Sequence, residues 1–378
     1  MPPIDFESPA FWFVCIYGLV CLNDILVNGI LYGRIAFRKK GSLRTDFVFP
    51  PVSVVICARN EAENLTEYLP KLLCQEYPEF EVVVVNDCSW DNTEDVLREY
   101  QKEFSFLKAI HVKEDGYYKH GKKFALMVGI KGARYDHLLL TDGDCFPGGK
   151  EWIKEMMLGF SEGKEIVLGY GPYAKVSSFL NKIIRYDAFR IGVQYLSLGL
   201  WGSPYMGVGR NLAYKKELFF KQKGFASHYH INSGDDDLFI NQAGRGENTG
   251  VVLEEKSFTY SRAAGTWANW SRQKVRHLGT SAHYRANTKW SLAYLTVSNY
   301  LFWGLTIASV FLSEWWLFLV GIFVLRQIWC FFVLYKSSKK LNESDILPYF
   351  VLFDVLLLFL YPFWHIRRRF FKPAKWKT

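Results

Sequence analysis

Two short clusters of aspartates have the residue types and spacing best suited to chemistry. Asp142 and Asp144 stand two residues apart, directly after the apolar run HLLLT at 137–141. Two carboxylates at this spacing can hold a divalent cation that bridges phosphates, because Mg²⁺ and Mn²⁺ prefer oxygen ligands. An Asp-x-Asp pair also occurs in many solvated loops, but its position after an apolar strand favours a ligand site.

The second cluster is Asp235-Asp236-Asp237, within the segment SGDDDL at 233–238. Carboxylates this close repel one another, which raises the pKa of at least one of them, and a raised pKa suits a general base. A second metal site, or an acidic cluster at the N-terminus of a helix, would explain the same pattern.

Cationic residues that suit a phosphate occur in two other segments. Gly121-Lys122 stands before a predicted helix, and a glycine turn with a cation at a helix N-terminus is typical of phosphate sites. The segment WANWSRQKVRH at 267–277 combines indoles and cations that could clamp a diphosphate and stack on a sugar or base. It could equally be an amphipathic helix at a membrane surface. The sequence has no GxxxxGK[ST], which excludes a P-loop, and no GxGxxG after the first strand, which weakens a dinucleotide site.

Alternating strands and helices must position these residues. We predict buried strands at 52–57, 81–85, 109–112 and 137–141, with helices between them at 61–75, 91–103 and 122–134. Strands that alternate with helices pair in parallel and form a doubly wound sheet. Such sheets bind ligands at the carboxyl ends of their strands, where Asp87 and Asp142 follow the second and fourth strands.

The composition is that of a membrane protein with one large water-facing domain. Of the 378 residues, 50% are hydrophobic and 17% aromatic, which excludes a disordered chain, a collagen-like repeat and a small disulfide scaffold. Apolar runs that could cross a bilayer occupy 11–33, 294–312, 315–335 and 346–366. We therefore divide the chain into an anchor with a basic segment at 1–45, a soluble domain at 46–290, and C-terminal transmembrane or interfacial helices at 291–378.

The net charge of +9 does not indicate a nucleic-acid partner, because the basic residues crowd beside the apolar runs. Arg34 and Arg38 follow the first run and Arg367 to Arg369 follow the last, which is the pattern that faces anionic cytoplasmic lipid. We therefore expect contacts with membrane lipid and none with nucleic acid. The seven cysteines have no metal-binding spacing, and free thiols in a reducing compartment explain them.

The first apolar run is too long and too polar for a cleaved signal, so it is predicted to be an anchor. The positive-inside rule then predicts a multi-pass protein of the cell inner (plasma) membrane with its domain in the cytoplasm. A full crossing by the run at 346–366 would put the Arg-rich tail outside, against the rule. Either one C-terminal run is interfacial or re-entrant, or the rule fails here.

Taken in order, seven segments of the chain resemble the membrane-embedded family 2 glycosyltransferases, a group that includes cellulose, chitin and hyaluronan synthases. The segments are VSVVICARNEAENL at 52–65, VVVVNDCSWDNT at 82–93, GKKFAL at 121–126, LLLTDGDC at 138–145, GVGRNLAYKK at 207–216, SGDDDL at 233–238 and RQKVRH at 272–277. The resemblance implies an α/β domain of GT-A type, a Rossmann-like mixed sheet, flanked by transmembrane helices. It also implies inverting transfer of a sugar from a nucleotide sugar, with a UDP-sugar as the expected donor and Mg²⁺ or Mn²⁺ as the metal.

The resemblance also implies a role for individual residues. Asp235 matches the general base, and Asp142 and Asp144 match the acids that orient the nucleotide sugar and coordinate the metal on its diphosphate. The remaining matches to the nucleotide-sugar site are Ala58, Asn60, Glu61, Asp87, Lys122, Gln273 and Arg276.

Two positions depart from the family pattern. Gly234 replaces the acid before the base, and His277 replaces the tryptophan after Arg276, which puts processive synthesis in doubt. For the acceptor side we assign Gly207, Asn211, Asp236, Trp270 and His277. Gly207 and Gly209 would let the backbone beside Asn211 approach a sugar closely, because glycine has no side chain. A plain turn before a strand explains these residues equally well. Tyr170, Trp201 and Trp267 are further aromatic residues that could stack on sugar rings.

The implied acceptor is a lipid-linked molecule or a growing glycan at the membrane. His277 and the small number of C-terminal spans favour single additions, and a processive polysaccharide synthase is the alternative. A second alternative is a catalytically inactive member that scaffolds a synthase complex. The intact Asp87, Asp142, Asp144 and Asp235 argue against that reading.

Overall fold

The computed structural model describes residues 6–39, 47–113, 121–231, 233–311 and 315–370. Its strands are β1 (Val52–Ala58), β2 (Phe80–Asp87), β3 (Leu107–Val112), β4 (His137–Asp142), β5 (Cys145–Pro147), β6 (Ile166–Leu168), β7 (Leu212–Lys215), β8 (Thr249–Val251) and β9 (Thr259–Ser261). Its α-helices are α1 (Pro9–Leu26), α2 (Gly33–Ala36), α3 (Ala62–Leu73), α4 (Thr93–Glu103), α5 (Lys122–Gly132), α6 (Trp152–Leu158), α7 (Phe179–Trp201), α8 (Lys216–Lys221), α9 (Asp237–Ala243), α10 (Trp267–His277), α11 (Ala286–Ser309), α12 (Trp316–Lys340) and α13 (Phe350–Phe370).

Four parallel strands form one half of the main sheet, as the alternation of strands and helices predicts. The seven-stranded sheet has the order β3-β2-β1-β4-β7-β6-β8, and β1 pairs in parallel with both β2 and β4. All seven residues of β1 are buried, because β-branched side chains such as Val54 and Val55 pack against helices on both faces. The register pairs Ala58 with Asn86 and Cys57 with Asp142, so these strands end at one edge of the sheet.

The other half of the sheet makes it mixed, which confirms the GT-A-type expectation. β7 runs antiparallel to both β4 and β6, while β8 pairs in parallel with β6. A separate two-stranded sheet pairs β5 with β9 directly after the turn that carries Asp142 and Asp144. Since β5 and β9 are 3 residues long each and far apart in sequence, their pattern is too short to predict from periodicity.

Helix α7 joins the sheet to the membrane-type helices, and our sequence analysis did not predict it. Its 23 residues are buried on most sides, with Ile184 and Phe189 among them. Because polar residues such as Arg185 and Asp187 are buried together with the apolar ones, α7 lacks the one-sided periodicity of a surface helix. One hydrophobic core extends from the sheet through α7 to Val333 of α12 and Trp364 of α13.

Within the described residues, three helices are long and apolar enough to cross a membrane: Pro9–Ala36, Trp316–Lys340 and Ser344–Phe370. The first is continuous because a π-helical stretch, Val27–Tyr32, links α1 to α2. The predicted run at 294–312 is not among the three: its described part belongs to helix α11, whose apolar side chains are interrupted by Thr296 and Asn299. The basic residues at 336–340 form the last turn of α12.

Helices α1, α11 and α12 form a bundle held by polar contacts. Arg326 of α12 pairs with Asp24 of α1 at 2.7 Å, and both side chains are buried. Ser298 of α11 donates a hydrogen bond to the same carboxylate at 2.7 Å and accepts one from Asn23 at 2.8 Å. The polar residues in the first apolar run therefore satisfy one another inside the bundle, which lowers their cost in a low-dielectric environment.

Helix α13 contacts the soluble domain at both of its ends. Lys182 of α7 donates to the Tyr349 hydroxyl at 3.1 Å just before α13 begins. Near its other end, Arg367 donates to the Ser271 hydroxyl at 2.8 Å, and Arg368 donates to the carbonyl of Leu278 at 2.9 Å. The described part of the Arg-rich end therefore lies on the same side as the domain.

Candidate active site

A cavity of about 910 Å³ lies at the edge of the sheet where the parallel strands end. Its polar end is lined by side chains from the β4–β5 turn, the start of α5, the loop before α9, and α10. These side chains are Asp142, Asp144, Lys122, Asp235, Gln273 and Arg276. The structure thus brings together six of the residues that the sequence analysis assigned to donor binding and catalysis.

Lys122 joins two of the aspartate segments. Its Nζ lies 2.8 Å from Asp142 Oδ1 and 3.1 Å from Asp235 Oδ2. Gly121 is the N-cap residue of α5, and the helix begins at Lys122. The lysine therefore lies at the helix N-terminus, facing the end of β4. Burial alone would lower the pKa of Lys122, but the charges of Asp142 and Asp235 raise it well above its usual value. Lys122 is therefore a permanent cation between the two acids.

The three adjacent aspartates at 235–237 have three different environments. Asp236 caps helix α9: its carboxylate accepts the backbone N–H groups of Gly209 and Asp237, both at 2.7 Å. Asp237 accepts hydrogen bonds from the hydroxyls of Thr280 and Tyr284. Asp235 faces Lys122 instead. Burial raises the pKa of Asp235, but the charge of Lys122 outweighs this and lowers it, so Asp235 is ionised at neutral pH.

Gly234 stands where the family pattern has an acid, and the local backbone explains the replacement. Its φ is +92°, in the left-handed region that favours glycine. A Cβ at this position would lie 2.4 Å from Leu238 Cδ1. An acidic side chain therefore has no room here while α9 keeps its position.

Asp142, Asp144 and Cys145 each offer one ligand atom, and these atoms all lie within 4.8 Å of one another. Two carboxylates and one thiol on the β4–β5 turn fit a divalent cation that takes its remaining ligands from a diphosphate or water. Burial raises the pKa of Asp144, and the neighbouring charge of Asp142 raises it further. A cation held at this position would offset that repulsion.

Helix α10 presents several of its predicted residues to the cavity. Gln273 and Arg276 both line the cavity, and Gln273 Nε2 donates to the Tyr173 hydroxyl at 3.3 Å. Trp270 lines the cavity as well, although it is only 2% exposed and its ring lies edge-to-face on Trp364 at 4.9 Å. The role of Trp270 in acceptor binding stays a prediction.

His277 and Asp236 both line the cavity, as an acceptor role requires. Tyr170 also lines it, but its ring is buried against Phe258, so it is core rather than a stacking platform. Trp267 is 47% exposed and lies outside the cavity lining. Trp201 is 48% exposed, but Arg34 covers its ring at 4.3 Å.

Asn211 and Gly207, which the sequence assigned to the acceptor, lie outside the cavity. Asn211 is fully buried: its Nδ2 donates to the carbonyls of Tyr170 at 2.7 Å and Ser257 at 2.8 Å, and its Oδ1 accepts from Trp152 at 3.0 Å. Gly207 packs on the core, because a Cβ there would lie 2.8 Å from Leu212 Cδ1. Neither residue lines the cavity, and both hold the β7 segment against the sheet.

The loops after β1 and β2 are tied together beside the cavity. Asn60, with φ at +55°, accepts the backbone N–H of Trp90 at 3.0 Å, and its own N–H donates to the Ser89 hydroxyl at 2.9 Å. Asp87 is buried 4.0 Å from the Arg59 guanidinium. Glu61 lines the cavity, whereas Ala58, Asn60 and Asp87 do not. Their role in nucleotide binding stays a prediction.

Arg210 lines the cavity, and our sequence analysis did not assign it a role. Its guanidinium carbon lies 4.4 Å from the centre of the Tyr173 ring, and its Nη1 donates to the Ser261 hydroxyl at 3.2 Å. A Cβ at Gly171 would lie 2.6 Å from Arg210 Nε, so that glycine makes room for the guanidinium. An arginine within the glycine-rich segment GVGRNL was the available signal.

The aspartate cluster predicts a pH dependence of stability. Burial and the charges of Asp235 and Asp237 raise the pKa of Asp236 to about 7, so the folded chain retains a proton that the unfolded chain releases near 3.8, the ordinary pKa of an aspartate. The free energy of unfolding should therefore fall as pH rises from about 4 to about 7. Asn caps a helix about as well as Asp. In thermal unfolding, we expect Asp236→Asn to gain stability relative to wild type between about pH 5 and about pH 8. Parallel pH profiles would contradict this.

Comparison with known proteins agrees with this geometry. The family model of Glycosyl transferase family 2 matches residues 53–226. A probable glycosyltransferase of Bacillus subtilis, YdaM, is 25% identical over 233 residues, which is 60% of this chain and 54% of the relative. A poly-beta-1,6-N-acetyl-D-glucosamine synthase of Staphylococcus epidermidis is 34% identical over 93 residues, which is 25% of this chain and 21% of the relative. These matches span about half and about a fifth of the two relatives.

A solved structure shares the fold. The mannosyltransferase PcManGT from Pyrobaculum calidifontis, in complex with GDP-Man and Mn²⁺, superposes with a TM-score of 0.55 at 18% identity, over 87% of this chain and 99% of that one. Strands β2 to β7 and the turn with Asp142 and Asp144 lie within the matched residues 53–226, and β1 begins one residue before them, whereas Asp235 to Asp237, β8 and β9 lie after them. Residues 53–226 therefore form a domain that matches glycosyltransferase family 2, and the relatives of this chain include glycosyltransferases.

Proposed function

We propose that this protein transfers a sugar from a nucleoside diphosphate sugar, with inversion and with a divalent metal, to an acceptor at the membrane. The observation that carries the proposal is the position of Lys122, which contacts the end of β4 and the Asp235 carboxylate at once. A metal–diphosphate site on Asp142 and Asp144 and a base at Asp235 then share one cavity. In that arrangement the leaving group and the attacking hydroxyl lie on opposite sides of the transferred sugar.

In the proposed reaction, Asp235 accepts the proton of an acceptor hydroxyl while that oxygen forms a bond to the anomeric carbon. The bond from the anomeric carbon to the diphosphate oxygen breaks, and its electron pair leaves with the diphosphate. Arg276 and Lys122 stabilise the charge that develops on the leaving group, which is the main contribution such sites make to catalysis. Arg210 adds a third cation on the same cavity wall. A Mg²⁺ or Mn²⁺ ion on Asp142 and Asp144 would supply further neutralisation of the diphosphate.

Binding of the donor also changes the proton affinity of the proposed base, Asp235. The ion pair with Lys122 keeps the pKa of Asp235 low in the empty cavity, against the effect of burial. A donor diphosphate that shares Lys122 would weaken this pairing and raise the proton affinity of Asp235. The base would then be strongest when the donor is in place.

A UDP-sugar is the donor we propose, with Asp87 as the acid that accepts from the uracil ring. The support is the family resemblance of the loop at 82–93 and the position of Asp87 at the carboxyl end of β2. PcManGT, which shares the fold, is complexed with GDP-Man and Mn²⁺. A guanine nucleotide is therefore the alternative that the donor assay must include.

We propose that the domain faces the cytoplasm. Arg34, at the end of the first candidate span, donates to the Leu200 carbonyl of the domain, and Lys340 at the end of α12 donates to the Arg38 carbonyl. Arg367 and Arg368 contact the domain as well. These basic residues all lie at the domain end of the membrane helices, which suits the positive-inside rule. A helix α13 that lies along the membrane surface, without crossing the bilayer, keeps the Arg-rich tail on the cytoplasmic side. The positive-inside rule is then obeyed.

Donor binding by the purified protein in detergent tests the proposal. A panel of UDP-, GDP- and dTDP-sugars would be measured with Mn²⁺, with Mg²⁺ and with EDTA. We expect metal-dependent binding of one donor and its loss in Asp144→Ala, because the carboxylate supplies a metal ligand. Asp95→Ala is a matched control, since Asp95 is 71% exposed on α4.

Two other outcomes would redirect the proposal. If no donor binds to folded wild-type protein with either metal, the inactive-scaffold alternative replaces the catalytic one. If donor binds and sugar is transferred, the length of the product under excess donor separates single addition from processive synthesis. His277, in place of the family tryptophan, favours single addition.

A further inference from the structure

The cavity has a second opening, far along the chain from the aspartate turns. It continues beside α7 to the space between α11 and α13. Six residues line the cavity and are exposed at this opening: Ala293, Thr296, Val297, Tyr300, Pro362 and His365. The opposite end carries Asp142 and the exposed Arg262. The cavity therefore connects a polar surface with a largely apolar one.

The surroundings of the second opening are those of a lipid-facing surface. Large apolar side chains on its two flanking helices point outward, with Leu301 of α11 49% exposed and Phe359 and Phe363 of α13 64% and 50% exposed. Exposed apolar belts of this kind are costly in water and indicate hydrocarbon contact. A ligand that enters here would come from the membrane.

One face of α7 forms the wall between the two openings. Asp187, Arg190, Ile191 and Gln194 all line the cavity, and their spacing places them on one side of the helix. Both acids at this level are satisfied by protein groups. Asp187 pairs with Lys274 at 2.8 Å and accepts from Tyr361 at 2.7 Å, and Asp354 of α13 accepts from Tyr186 at 2.7 Å.

Arg190 is a cation on this wall whose side-chain N–H groups are not taken up by hydrogen bonds to described residues. Its Nε lies 3.6 Å from Asp354 Oδ1, which is an ion pair but too long for a hydrogen bond. Among the described residues the Arg190 side chain makes no hydrogen bond, although a guanidinium carries five N–H donors. Lys274, by contrast, is held by Asp187 and Tyr361. Arg190 is therefore free to donate to a ligand in the passage.

The wall leads from Arg190 back to the aspartate cluster by a chain of contacts. Gln194 is one turn further along α7, about 6 Å away, and it accepts from the Tyr205 hydroxyl at 3.0 Å. The Tyr205 ring lies 5.9 Å from that of Tyr284, whose hydroxyl donates to Asp237. A headgroup at Arg190 would thus lie on the route to the proposed base, Asp235.

We propose, building on the transferase activity proposed above, that this passage binds a lipid-linked acceptor whose headgroup carries a phosphate or diphosphate. The hydrocarbon chain leaves between α11 and α13, Arg190 donates to the phosphate, and the reactive hydroxyl reaches Asp235. The donor then enters from the polar opening and the acceptor from the membrane. A growing polysaccharide would need a polar passage at both ends, and the apolar opening does not provide one.

Lipid binding to the purified protein in detergent tests this proposal independently of transfer. The probe is a radiolabelled polyprenyl phosphate, compared with the matching polyprenol and with competition by inorganic phosphate or a neutral oligosaccharide. We expect the phosphate-bearing lipid to bind most tightly and Arg190→Gln to weaken it about tenfold or more, the value of a hydrogen bond to a charged group. Arg190→Lys should recover part of the affinity. Arg98→Gln, an exposed cation on α4 outside the cavity, is the matched control.

A second pair of variants tests the opening. Thr296→Trp should block the passage and weaken lipid binding, whereas Leu301→Trp on the same helix, outside the cavity lining, should not. Equal binding of polyprenol and polyprenyl phosphate, competition by the oligosaccharide or by inorganic phosphate alone, or an Arg190→Gln variant with wild-type affinity would overturn the proposal. Donor binding is measured on the same preparations. Loss of donor binding in wild type defeats the proposed function, whereas intact donor binding without lipid binding defeats the acceptor site alone.

Discussion

Asp235→Asn should abolish sugar transfer while leaving donor binding intact. All three carboxylates of the 235–237 cluster line the cavity, but among the described ion pairs Asp235 is the one that contacts Lys122, and its amide variant cannot accept a proton at neutral pH. General base assistance typically contributes about 10²–10⁴-fold to a rate, so kcat should fall by a factor in that range. The donor should still bind, because Asp142 and Asp144 supply the metal site independently. The measurement is initial transfer rate and donor affinity on the same folded preparation.

Asp236→Asn is the discriminating control for this prediction. Asp236 accepts the backbone N–H groups of Gly209 and Asp237, and Asn caps a helix about as well as Asp, so we expect its amide variant to keep the fold and most of the transfer rate. If Asp236→Asn removes transfer and Asp235→Asn keeps it, the base is Asp236. The raised pKa of Asp236, about 7, makes this reversal chemically possible and worth excluding by experiment.

Arg326→Leu should destabilise the membrane helices by roughly 3–5 kcal/mol, the cost of breaking a buried ion pair. The substitution leaves Asp24 charged between α1, α11 and α12, where its side chain is 8% exposed. Ser298 alone cannot replace the lost partner. The expected result is a large fall in the yield of monodisperse protein and in its thermal unfolding temperature in detergent.

The double variant Asp24→Leu with Arg326→Leu separates the charge from the packing. Because two well-packed apolar residues often replace a buried ion pair at little cost, we expect it to recover much of the lost stability. Lys336→Leu on the same helix is a matched control, since that side chain lies over the Phe332 ring and forms no ion pair among the described residues. A double variant no more stable than Arg326→Leu would show that packing, not charge, sets the cost.

Local pattern was enough to predict the parallel half of the sheet and the position of its acids. The runs that became β1, β2 and β4 are continuous and apolar because both of their faces are covered, and turn residues bound each run. Since parallel strands end at one edge, Asp142, Lys122 and the neighbouring residues had to meet there. The meeting of Asp142 and Lys122 at one edge of the sheet was therefore predictable from spacing, whereas their role in donor binding rests on the family resemblance.

The long helices α7 and α11 were harder to predict from the sequence. Helix α7 is buried all round, so its sequence lacks the periodicity that marks a surface helix, and it was not predicted. Helix α11 was predicted as a span because its run is apolar on average, yet Thr296 and Asn299 face the cavity. Composition measures how apolar a segment is, but only packing decides whether that segment faces lipid, the core or a passage.

By itself, then, the sequence determined the match to glycosyltransferase family 2 over 53–226, the order of strands and helices at 52–142, and the residue types at the strand ends. These follow from interactions between residues that are near in sequence. Tertiary structure decided which of Asp235, Asp236 and Asp237 faces Lys122, placed Asn211 inside the sheet, and opened the passage beside Arg190. Those outcomes depend on contacts between residues more than 25 positions apart, such as Gly209 with Asp236 and Asn211 with Ser257. No local pattern in the chain records such contacts, because each is set by how whole elements pack.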